Sequence, residues 1–240
     1  VTIYQSSTDE GVGERIKDAE VVLCNKTVLN ADKLSKAPNL KYIGLFATGY
    51  NNIDIDYTRA HSITVCNAGD YSTEAVAQHV FAFILHEYNT VDKYNTFVKN
   101  EGWVNAETFS PFFAMRELQG KTIGVIGYGS IGRKVADVAR VFGMKVMAYD
   151  IYKNPDLNFV EYTDLDTVLE KSDLISLHCP LTDDSYHMIN KKTIKKMKDN
   201  VVLVNTSRGA LIDTQDLIQG IREHKFHSVG LDVYEEETKN

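Results

Sequence analysis

Cysteine and proline are scarce in this sequence, and their scarcity excludes several classes of protein. The 240 residues include only 3 cysteines and 4 prolines. Cys24, Cys66 and Cys179 have no C-x-x-C spacing, and no cluster of metal-ligating residues stands out, so neither a disulfide framework nor a metal site is predicted. With 43% hydrophobic residues, the chain can fill a sizeable core. We therefore expect a globular protein with reduced thiols.

Basic charge and long apolar runs are also lacking. Lysine and arginine number 26 against 33 acidic residues, which gives a net charge of −7. No nucleic-acid partner is expected, because binding to nucleic acid needs a basic face. The longest clearly apolar run, Val80 to Leu85, is far too short to span a bilayer, and no targeting signal is evident. These absences predict a cytoplasmic protein without membrane contact.

Short β-branched and aliphatic runs alternate with segments of helical periodicity over the whole length, a pattern typical of βαβ units and a parallel sheet. The predicted strands are Val1–Tyr4, Val21–Cys24, Tyr42–Phe46, Ile63–Cys66, Thr122–Ile126, Lys145–Tyr149, Leu174–Leu177, Val201–Asn205 and Val229–Leu231. Nine strands are too many for one small sheet. The length of the chain likewise indicates one large domain and part of another.

Two helices are clear from their periodicity, and they help to divide the chain. One is predicted from about Ser130 to Phe142, where apolar residues recur on one helical face, and another from about Thr73 to Glu87. No convincing strand is found between residues 67 and 120. We therefore predict a small α/β unit over residues 1–67 and a larger one over residues 68–240 that includes the connecting helix.

A glycine-rich turn lies between the strand Thr122–Ile126 and the clearest helix. Gly127, Gly129 and Gly132 form a G-x-G-x-x-G pattern, which is informative because a strand precedes it and a helix follows it. The first glycine permits a tight turn, the second lets the backbone approach a pyrophosphate, and the third lets helix and strand pack closely. The helix N-terminus would then face the phosphates. The pattern predicts a dinucleotide site.

The residue at the end of the next strand indicates which dinucleotide binds. Asp150 follows the strand Lys145–Tyr149 and lies 18 residues after Gly132. A carboxylate there can accept hydrogen bonds from both ribose hydroxyls and would repel a 2′-phosphate, so NAD is favoured over NADP. The alternative is that the glycines merely turn the chain and that Asp150 is an ordinary polar residue at a strand end.

Polar residues follow the later strands, where a ligand of such a sheet is expected. Arg208, shortly after Val201–Asn205, could bind a carboxylate and polarise a neighbouring carbonyl. Its alternative role is a surface salt bridge to the acidic run 235–237.

If such a carbonyl is reduced, the reaction also needs a proton donor, which is usually a histidine. His178 is expected to line the adenine side of the site rather than to donate a proton. No other histidine lies in a motif that indicates a proton donor.

Taken together, these segments resemble the D-isomer-specific 2-hydroxyacid dehydrogenases, and within that family they look most like glycerate dehydrogenases, also called hydroxypyruvate reductases. The resemblance covers essentially the whole chain in six motifs that follow one another in the family's order. They are residues 47–54 (ATGYNNID), 72–79 (STEAVAQH), 127–132 (GYGSIG), 176–182 (SLHCPLT), 205–209 (NTSRG) and 231–235 (LDVYE).

The resemblance implies a doubly wound, Rossmann-like cofactor domain, a flavodoxin-like substrate domain and a homodimer formed through the cofactor domains. It also implies a role for each residue that matches a motif. Arg208 would bind the substrate, Glu237 would support a catalytic histidine, and the amides of Thr48 and Gly49 would hold the substrate carboxylate. The cofactor contacts would be Gly127, Gly129, Ser130, Ile131 and Gly132 at the pyrophosphate, Asp150 at the ribose, Cys179, Pro180 and Ser185 on the adenosine side, and Thr206, Ser207 and Asp232 towards the nicotinamide.

The sequence departs from the family pattern at both ends. The family's catalytic histidine comes after its glutamate, whereas this sequence ends three residues after Glu237. Val1 resembles the start of the second family strand rather than the first. We therefore expect the substrate domain to be truncated, the sequence to be part of a longer protein, and the activity of these 240 residues alone to be severely reduced.

The implied reaction is the NADH-dependent reduction of a small 2-oxo acid to a D-2-hydroxy acid, with hydroxypyruvate or glyoxylate favoured. D-lactate dehydrogenase and phosphoglycerate dehydrogenase are alternatives within the family, since a few cleft residues decide the substrate. A non-catalytic protein that senses NADH is an alternative of another class. Retention of both Arg208 and Glu237 argues against it, because a binding protein has no need of the pair.

Overall fold

The computed structural model describes residues 1–108, 112–153 and 160–236, and these fall into two compact units. The first is Val1–Ser72 and the second comprises the described residues from 73 to 236. Both are built from parallel strands and helices, so the predicted α/β class is confirmed. No helix among the described residues is long and apolar enough to cross a membrane.

The first unit is a small parallel sheet with three short helices. The sheet order is β1-β2-β3, with Val21 paired to Tyr42 and Tyr42 paired to Thr64. Side chains of Asn30 and Asp54 accept hydrogen bonds from the backbone at the starts of two helices and so satisfy groups that a helix leaves free. The elements are α1 (Val12–Ile16), β1 (Val21–Cys24), α2 (Ala31–Leu34), β2 (Tyr42–Leu45), α3 (Ile55–Ala60) and β3 (Thr64–Cys66).

The predicted strand Val1–Tyr4 is wrong. In the structure this segment has no strand assignment, and the side chains of Val1 and Ile3 are exposed. Alternating apolar residues suit a strand, but a strand also needs a hydrogen-bonded neighbour. No described strand pairs with this segment, and Tyr4 instead lies under the guanidinium of Arg15, 4.3 Å from the ring centre.

The second unit is a doubly wound domain. Its parallel strands lie in the order β6-β5-β4-β7-β8-β9, which is the order of a dinucleotide-binding fold. The strands β4, β7 and β8 are buried almost throughout, as expected where helices cover both faces of a sheet. Its elements are α4 (Thr73–Asn89), α5 (Val91–Lys99), β4 (Thr122–Ile126), α6 (Ser130–Val141), β5 (Lys145–Tyr149), β6 (Glu161–Tyr162), α7 (Leu165–Lys171), β7 (Leu174–Leu177), α8 (Lys191–Lys196), β8 (Val201–Asn205), α9 (Thr214–Arg222) and β9 (Phe226–Leu231).

Strand β6 was not predicted, and β9 is longer than predicted. Glu161–Tyr162 is a two-residue strand at the edge of the sheet, too short for a period-2 pattern to register. Strand β9 begins at Phe226 rather than Val229. His227 and Ser228 interrupt the apolar run, but Phe226 and Ser228 still pair with Val201 and Val202 of β8, with a register shift at His227. Neither difference changes the strand order around the glycine turn.

Candidate cofactor and substrate site

The glycine turn joins β4 to α6 in the conformation that its spacing predicts. Gly127 has φ of +92°, which favours glycine. A β-carbon on Gly127 would lie closer than 3.0 Å to the backbone of His178 and Cys179, and one on Gly132 would lie equally close to the carbonyl oxygen of Gly127. Two of the three glycines are therefore required by close packing of the protein against itself.

Gly129 differs from these two glycines, because a β-carbon there would meet nothing within 4 Å. It is the N-cap residue of α6 and provides no side-chain hydrogen bond to the helix. Ser130 and Ile131 follow it in the first turn of α6. The space beside Gly129 and the uncapped helix N-terminus together fit a bound pyrophosphate, which would be held by backbone N–H groups.

Asp150 lies beside this turn and is held there by the backbone. One carboxylate oxygen accepts a hydrogen bond from the amide of Tyr128 at 2.5 Å, and the other accepts one from the amide of Tyr152 at 2.8 Å. Each oxygen keeps a further lone pair. The carboxylate is therefore fixed in position and still able to accept hydrogen bonds from ribose hydroxyls.

The segment after β7 packs directly against the glycine turn. The amide of His178 donates to the carbonyl of Ile126 at 2.6 Å. Burial raises the pKa of the Cys179 thiol to about 11 and lowers the pKa of His178 to about 4, so a protonated thiol and a neutral imidazole are present at pH 7. The hydroxyl of Ser185 donates to the carbonyl of Pro180 at 2.8 Å and closes the segment into a compact turn.

The loop after β8, which carries Arg208, is organised by a buried asparagine. The side chain of Asn205 accepts a hydrogen bond from the amide of Ser207 at 3.0 Å and donates one to the carbonyl of Arg208 at 2.9 Å. The guanidinium of Arg208 donates to the carbonyl of Ser207 at 2.8 Å. The hydroxyl oxygen of Thr206 is buried and has no hydrogen-bond partner among the described residues. A buried hydroxyl of this kind suits a polar ligand.

Hydrogen bonds hold both Asp232, which directly follows β9, and Glu235, in the turn that comes next. The amide of Asp232 donates to the carbonyl of Asn205 at 3.0 Å, and its carboxylate lies 3.4 Å from the imidazole of His79. Glu235 accepts hydrogen bonds from the hydroxyl of Thr214 at 2.7 Å and from His187 at 2.5 Å, and these contacts lower its pKa. The predicted catalytic Glu237 lies outside the described residues.

The sheet order brings the predicted cofactor residues of the second unit into one row. Asp150, Gly127, Cys179, Thr206 and Asp232 follow β5, β4, β7, β8 and β9, which are consecutive neighbours in the sheet. Carboxyl ends of parallel strands share one edge, and ligands of such folds bind there, at the point between β4 and β7 where the strand order reverses. An extended dinucleotide fits along this row.

In the first unit, Thr48 and Gly49 lie on the loop after β2. The carbonyl of Thr48 accepts a hydrogen bond from the side chain of Asn67 at 2.7 Å.

The sequence predicted no role for Asn67 or Asn205, because an asparagine near a strand end is a common turn residue. It also assigned no role to His187, whose contact with Glu235 spans 48 residues of sequence. No group of three or more metal-ligating side chains occurs in the described ranges.

Comparison with known proteins identifies the family. The model of the D-isomer specific 2-hydroxyacid dehydrogenase NAD-binding domain matches residues 81–240. A hydroxypyruvate reductase of Blautia hydrogenotrophica is 40% identical over 232 residues, which cover 95% of this chain and 72% of the relative. A glyoxylate reductase of Thermococcus litoralis is 41% identical over 225 residues, or 92% of this chain and 68% of the relative.

A solved structure agrees with these relatives. The D-lactate dehydrogenase of Aquifex aeolicus, complexed with NAD and lactic acid, superposes with a TM-score of 0.84 at 41% identity, covering 93% of this chain and 67% of that one. The predicted fold class and cofactor are therefore confirmed. The chain belongs to the D-isomer-specific 2-hydroxyacid dehydrogenases, and it is an NAD-dependent oxidoreductase.

Proposed function

We propose that this protein reduces hydroxypyruvate or glyoxylate to D-glycerate or glycolate, and that Arg208 binds the substrate. The relatives support this substrate class, since they include a hydroxypyruvate reductase, a glyoxylate reductase and a glycerate dehydrogenase. The observation that carries the proposal is the placement of Arg208. A buried asparagine fixes its backbone at the same sheet edge as the glycine turn.

In this proposal the second unit is the cofactor domain. The backbone from Gly129 to Gly132 would bind the pyrophosphate, Asp150 the adenosine ribose, and Cys179, Pro180 and Ser185 the adenosine side. Thr206, Ser207 and Asp232 would lie towards the nicotinamide, where the unpartnered hydroxyl of Thr206 supplies a hydrogen-bonding group. NADH, when bound, supplies the hydride.

The substrate would be held by charge and by backbone amides. The guanidinium of Arg208 can bind the carboxylate and polarise the adjacent carbonyl, which makes its carbon a better hydride acceptor. The amides of Thr48 and Gly49 would bind the carboxylate as well. Glu237 would hydrogen-bond a catalytic histidine and raise its pKa, so that the histidine is protonated and can donate to the carbonyl oxygen.

The test is oxidation of NADH by the full-length protein with hydroxypyruvate, glyoxylate, pyruvate and phosphohydroxypyruvate. We expect turnover with the first two and a loss of about 10²- to 10³-fold in kcat/KM for Arg208→Gln, because a preorganised cation at the reacting carbonyl is removed. Arg222→Gln, at an exposed arginine in the last turn of α9, is the matched control and should retain wild-type activity. No turnover with any 2-oxo acid would refute the proposal.

D-Lactate dehydrogenase activity is the second candidate, and one comparison favours it. The Aquifex aeolicus enzyme is as similar in sequence, at 41% identity, as the reductases are. The same assay decides between them through the ratio of kcat/KM for pyruvate and hydroxypyruvate. A ratio above one would assign the protein to lactate rather than glycerate chemistry, and preference for phosphohydroxypyruvate would indicate a phosphoglycerate dehydrogenase.

We also propose a cytoplasmic homodimer formed through the cofactor unit. None of the residues of α5 is buried, and large apolar side chains are exposed on and after this helix, including Val98, Trp103 and Met115. Trp103 also adjoins Phe112, and a contiguous exposed apolar patch marks an interaction surface. Sedimentation should show a dimer that Val98→Glu dissociates and that Lys192→Glu, at an exposed lysine of α8, leaves intact. A wild-type monomer would contradict this proposal.

A further inference from the structure

We propose that Asn67 is a positioning residue for the substrate carboxylate, acting through the peptide planes of the loop after β2. The inference rests on the proposed function, in which the amides of Thr48 and Gly49 bind that carboxylate. Asn67 follows β3, and its side-chain amide donates to the carbonyl of Thr48 at 2.7 Å. It would therefore act on the backbone rather than on the substrate.

The direction of both amides follows from the geometry of the peptide bond. In a trans peptide the C=O and the following N–H point in opposite directions, and no cis peptide occurs among the described residues. Because Asn67 holds the Thr48 carbonyl, it also fixes the N–H of Gly49. The amide of Ala68 holds the Ala47 carbonyl at 3.0 Å and fixes the N–H of Thr48 in the same way. Both N–H groups are thus turned away from residues 67–68.

These two N–H groups are available for a ligand. Neither donates a hydrogen bond to another group in the described part of the chain. The hydroxyl of Thr48 is already used, since it donates to the carbonyl of Gly69 at 2.8 Å and lies 3.4 Å from the hydroxyl of Ser72. The loop is consequently tied to residues 67–72 through two carbonyls and one hydroxyl, while the amides of Thr48 and Gly49 have no acceptor among the described residues.

Fixed amides suit the recognition of an anion. Donors that already have their bound orientation need no reordering when the ligand arrives, so less binding free energy is lost. A hydrogen bond on the Thr48 carbonyl also polarises the peptide and strengthens its N–H as a donor. Without Asn67, the Thr48–Gly49 peptide could rotate, and each binding event would have to order it again.

The experiment replaces Asn67 in the full-length protein and measures substrate and cofactor binding separately. For Asn67→Ala we expect KM for hydroxypyruvate to rise about five- to tenfold, kcat to change less than about threefold, and the Kd for NADH to stay unchanged. Ser35→Ala is the matched control, because Ser35 also donates from its side chain to a backbone carbonyl, that of Asp32 at 2.9 Å, but on the surface. It should leave all three quantities unchanged.

A second measurement reports the peptide plane without any substrate. In protein labelled with 15N-glycine, the resonance of Gly49 should move in Asn67→Ala, because a hydrogen bond on the preceding carbonyl affects the amide. Asn67→Asp, which keeps the shape but cannot donate to the carbonyl, should shift the same resonance. This variant also serves if the alanine variant unfolds.

The outcomes separate the inference from the proposed function. An unmoved Gly49 resonance with an unchanged KM would overturn the role of Asn67, and so would an equal loss of NADH and substrate binding. If wild-type protein reduces no 2-oxo acid, the proposed function fails, while the Gly49 resonance still decides whether Asn67 fixes the peptide.

Discussion

Alanine substitution at Gly129 and Gly132 should separate cofactor binding from folding, although the two glycines lie only three residues apart. Gly129 has φ of −74° and ψ of −160°, which alanine also adopts, and its β-carbon would meet nothing within 4 Å. We expect the free energy of unfolding of Gly129→Ala to change by less than about 1 kcal/mol. The new methyl group would stand where the pyrophosphate approaches, so affinity for NADH should fall about tenfold or more, which is about 1.4 kcal/mol.

Gly132→Ala should mainly lower the free energy of unfolding, whereas Gly129→Ala mainly lowers the affinity for NADH. Its β-carbon would lie well under 3.0 Å from the carbonyl oxygen of Gly127 and 3.1 Å from a methyl group of Val125. A backbone oxygen cannot swing aside as a side chain can, so helix α6 would have to shift away from strand β4. Overpacking of this kind costs about 1–3 kcal/mol, and each kcal/mol lowers Tm by about 2–4 °C in a chain of this size.

The assay combines urea or thermal unfolding without cofactor with a fluorescence titration of NADH, and each variant is the control for the other. If Gly129→Ala bound NADH as tightly as the wild type, the space beside Gly129 would not be the pyrophosphate site. If it unfolded as readily as Gly132→Ala, the argument from close packing would be refuted.

Three further predictions concern single side chains. Asp150→Ser should lower the ratio of kcat/KM for NADH over NADPH, since the carboxylate that repels a 2′-phosphate is gone; an unchanged ratio would remove Asp150 from cofactor selection. Because burial raises the pKa of Cys179 to about 11, iodoacetamide at pH 7.5 should alkylate the exposed Cys66 well before Cys179, as judged by peptide mass spectrometry. Hydrogen bonds from Thr214 and His187 lower the pKa of Glu235 in the folded protein. Its ionised form therefore stabilises the fold at pH values above the pKa that Glu235 has in the unfolded chain. This stabilisation is lost as the pH falls through the lower pKa of the folded protein. Glu235→Gln should therefore reduce the free energy of unfolding by about 0.5–1 kcal/mol at pH 7, since solvent screens this partly exposed carboxylate, and by much less near pH 3. An equal reduction at both pH values would contradict that reasoning.

The parts of the fold that the sequence predicted well depend on local signals. The turn at Gly127 combines glycine spacing, a preceding apolar strand and a following amphipathic helix, all within 25 residues. Its geometry is therefore encoded locally. The strand wrongly predicted and the strand missed both depend on neighbours. The alternating residues from Val1 to Tyr4 have none of the described strands beside them, and Glu161–Tyr162 is a strand only because it lies against β5.

The candidate site likewise contains residues that sequence patterns predict and contacts that they do not. Cofactor residues could be placed at the carboxyl ends of strands from the sequence, where ligands of such sheets bind. The strand order of the structure adds that β5, β4, β7, β8 and β9 are consecutive neighbours. The hydrogen bond between His187 and Glu235 could not be found in this way. It joins a loop before α8 to one after β9, and no repeating pattern links two residues so far apart.

Asn67 and Asn205 show where sequence reasoning about strand ends reaches its limit. Both lie at or just after a parallel strand, as Asp150 and Arg208 do, and from residue type alone all four are candidates to bind a ligand. All four side chains bond backbone groups. Asp150 and Arg208 also carry a charge that a ligand can pair with, whereas the two asparagines are neutral and donate to backbone carbonyls. An amide side chain is suited to this task, because it carries both donor and acceptor and no charge that an approaching anion would have to meet. Polar residues at the carboxyl ends of parallel strands therefore serve either the ligand or the loop that binds it, and the charge of each side chain together with its partner distinguishes the two.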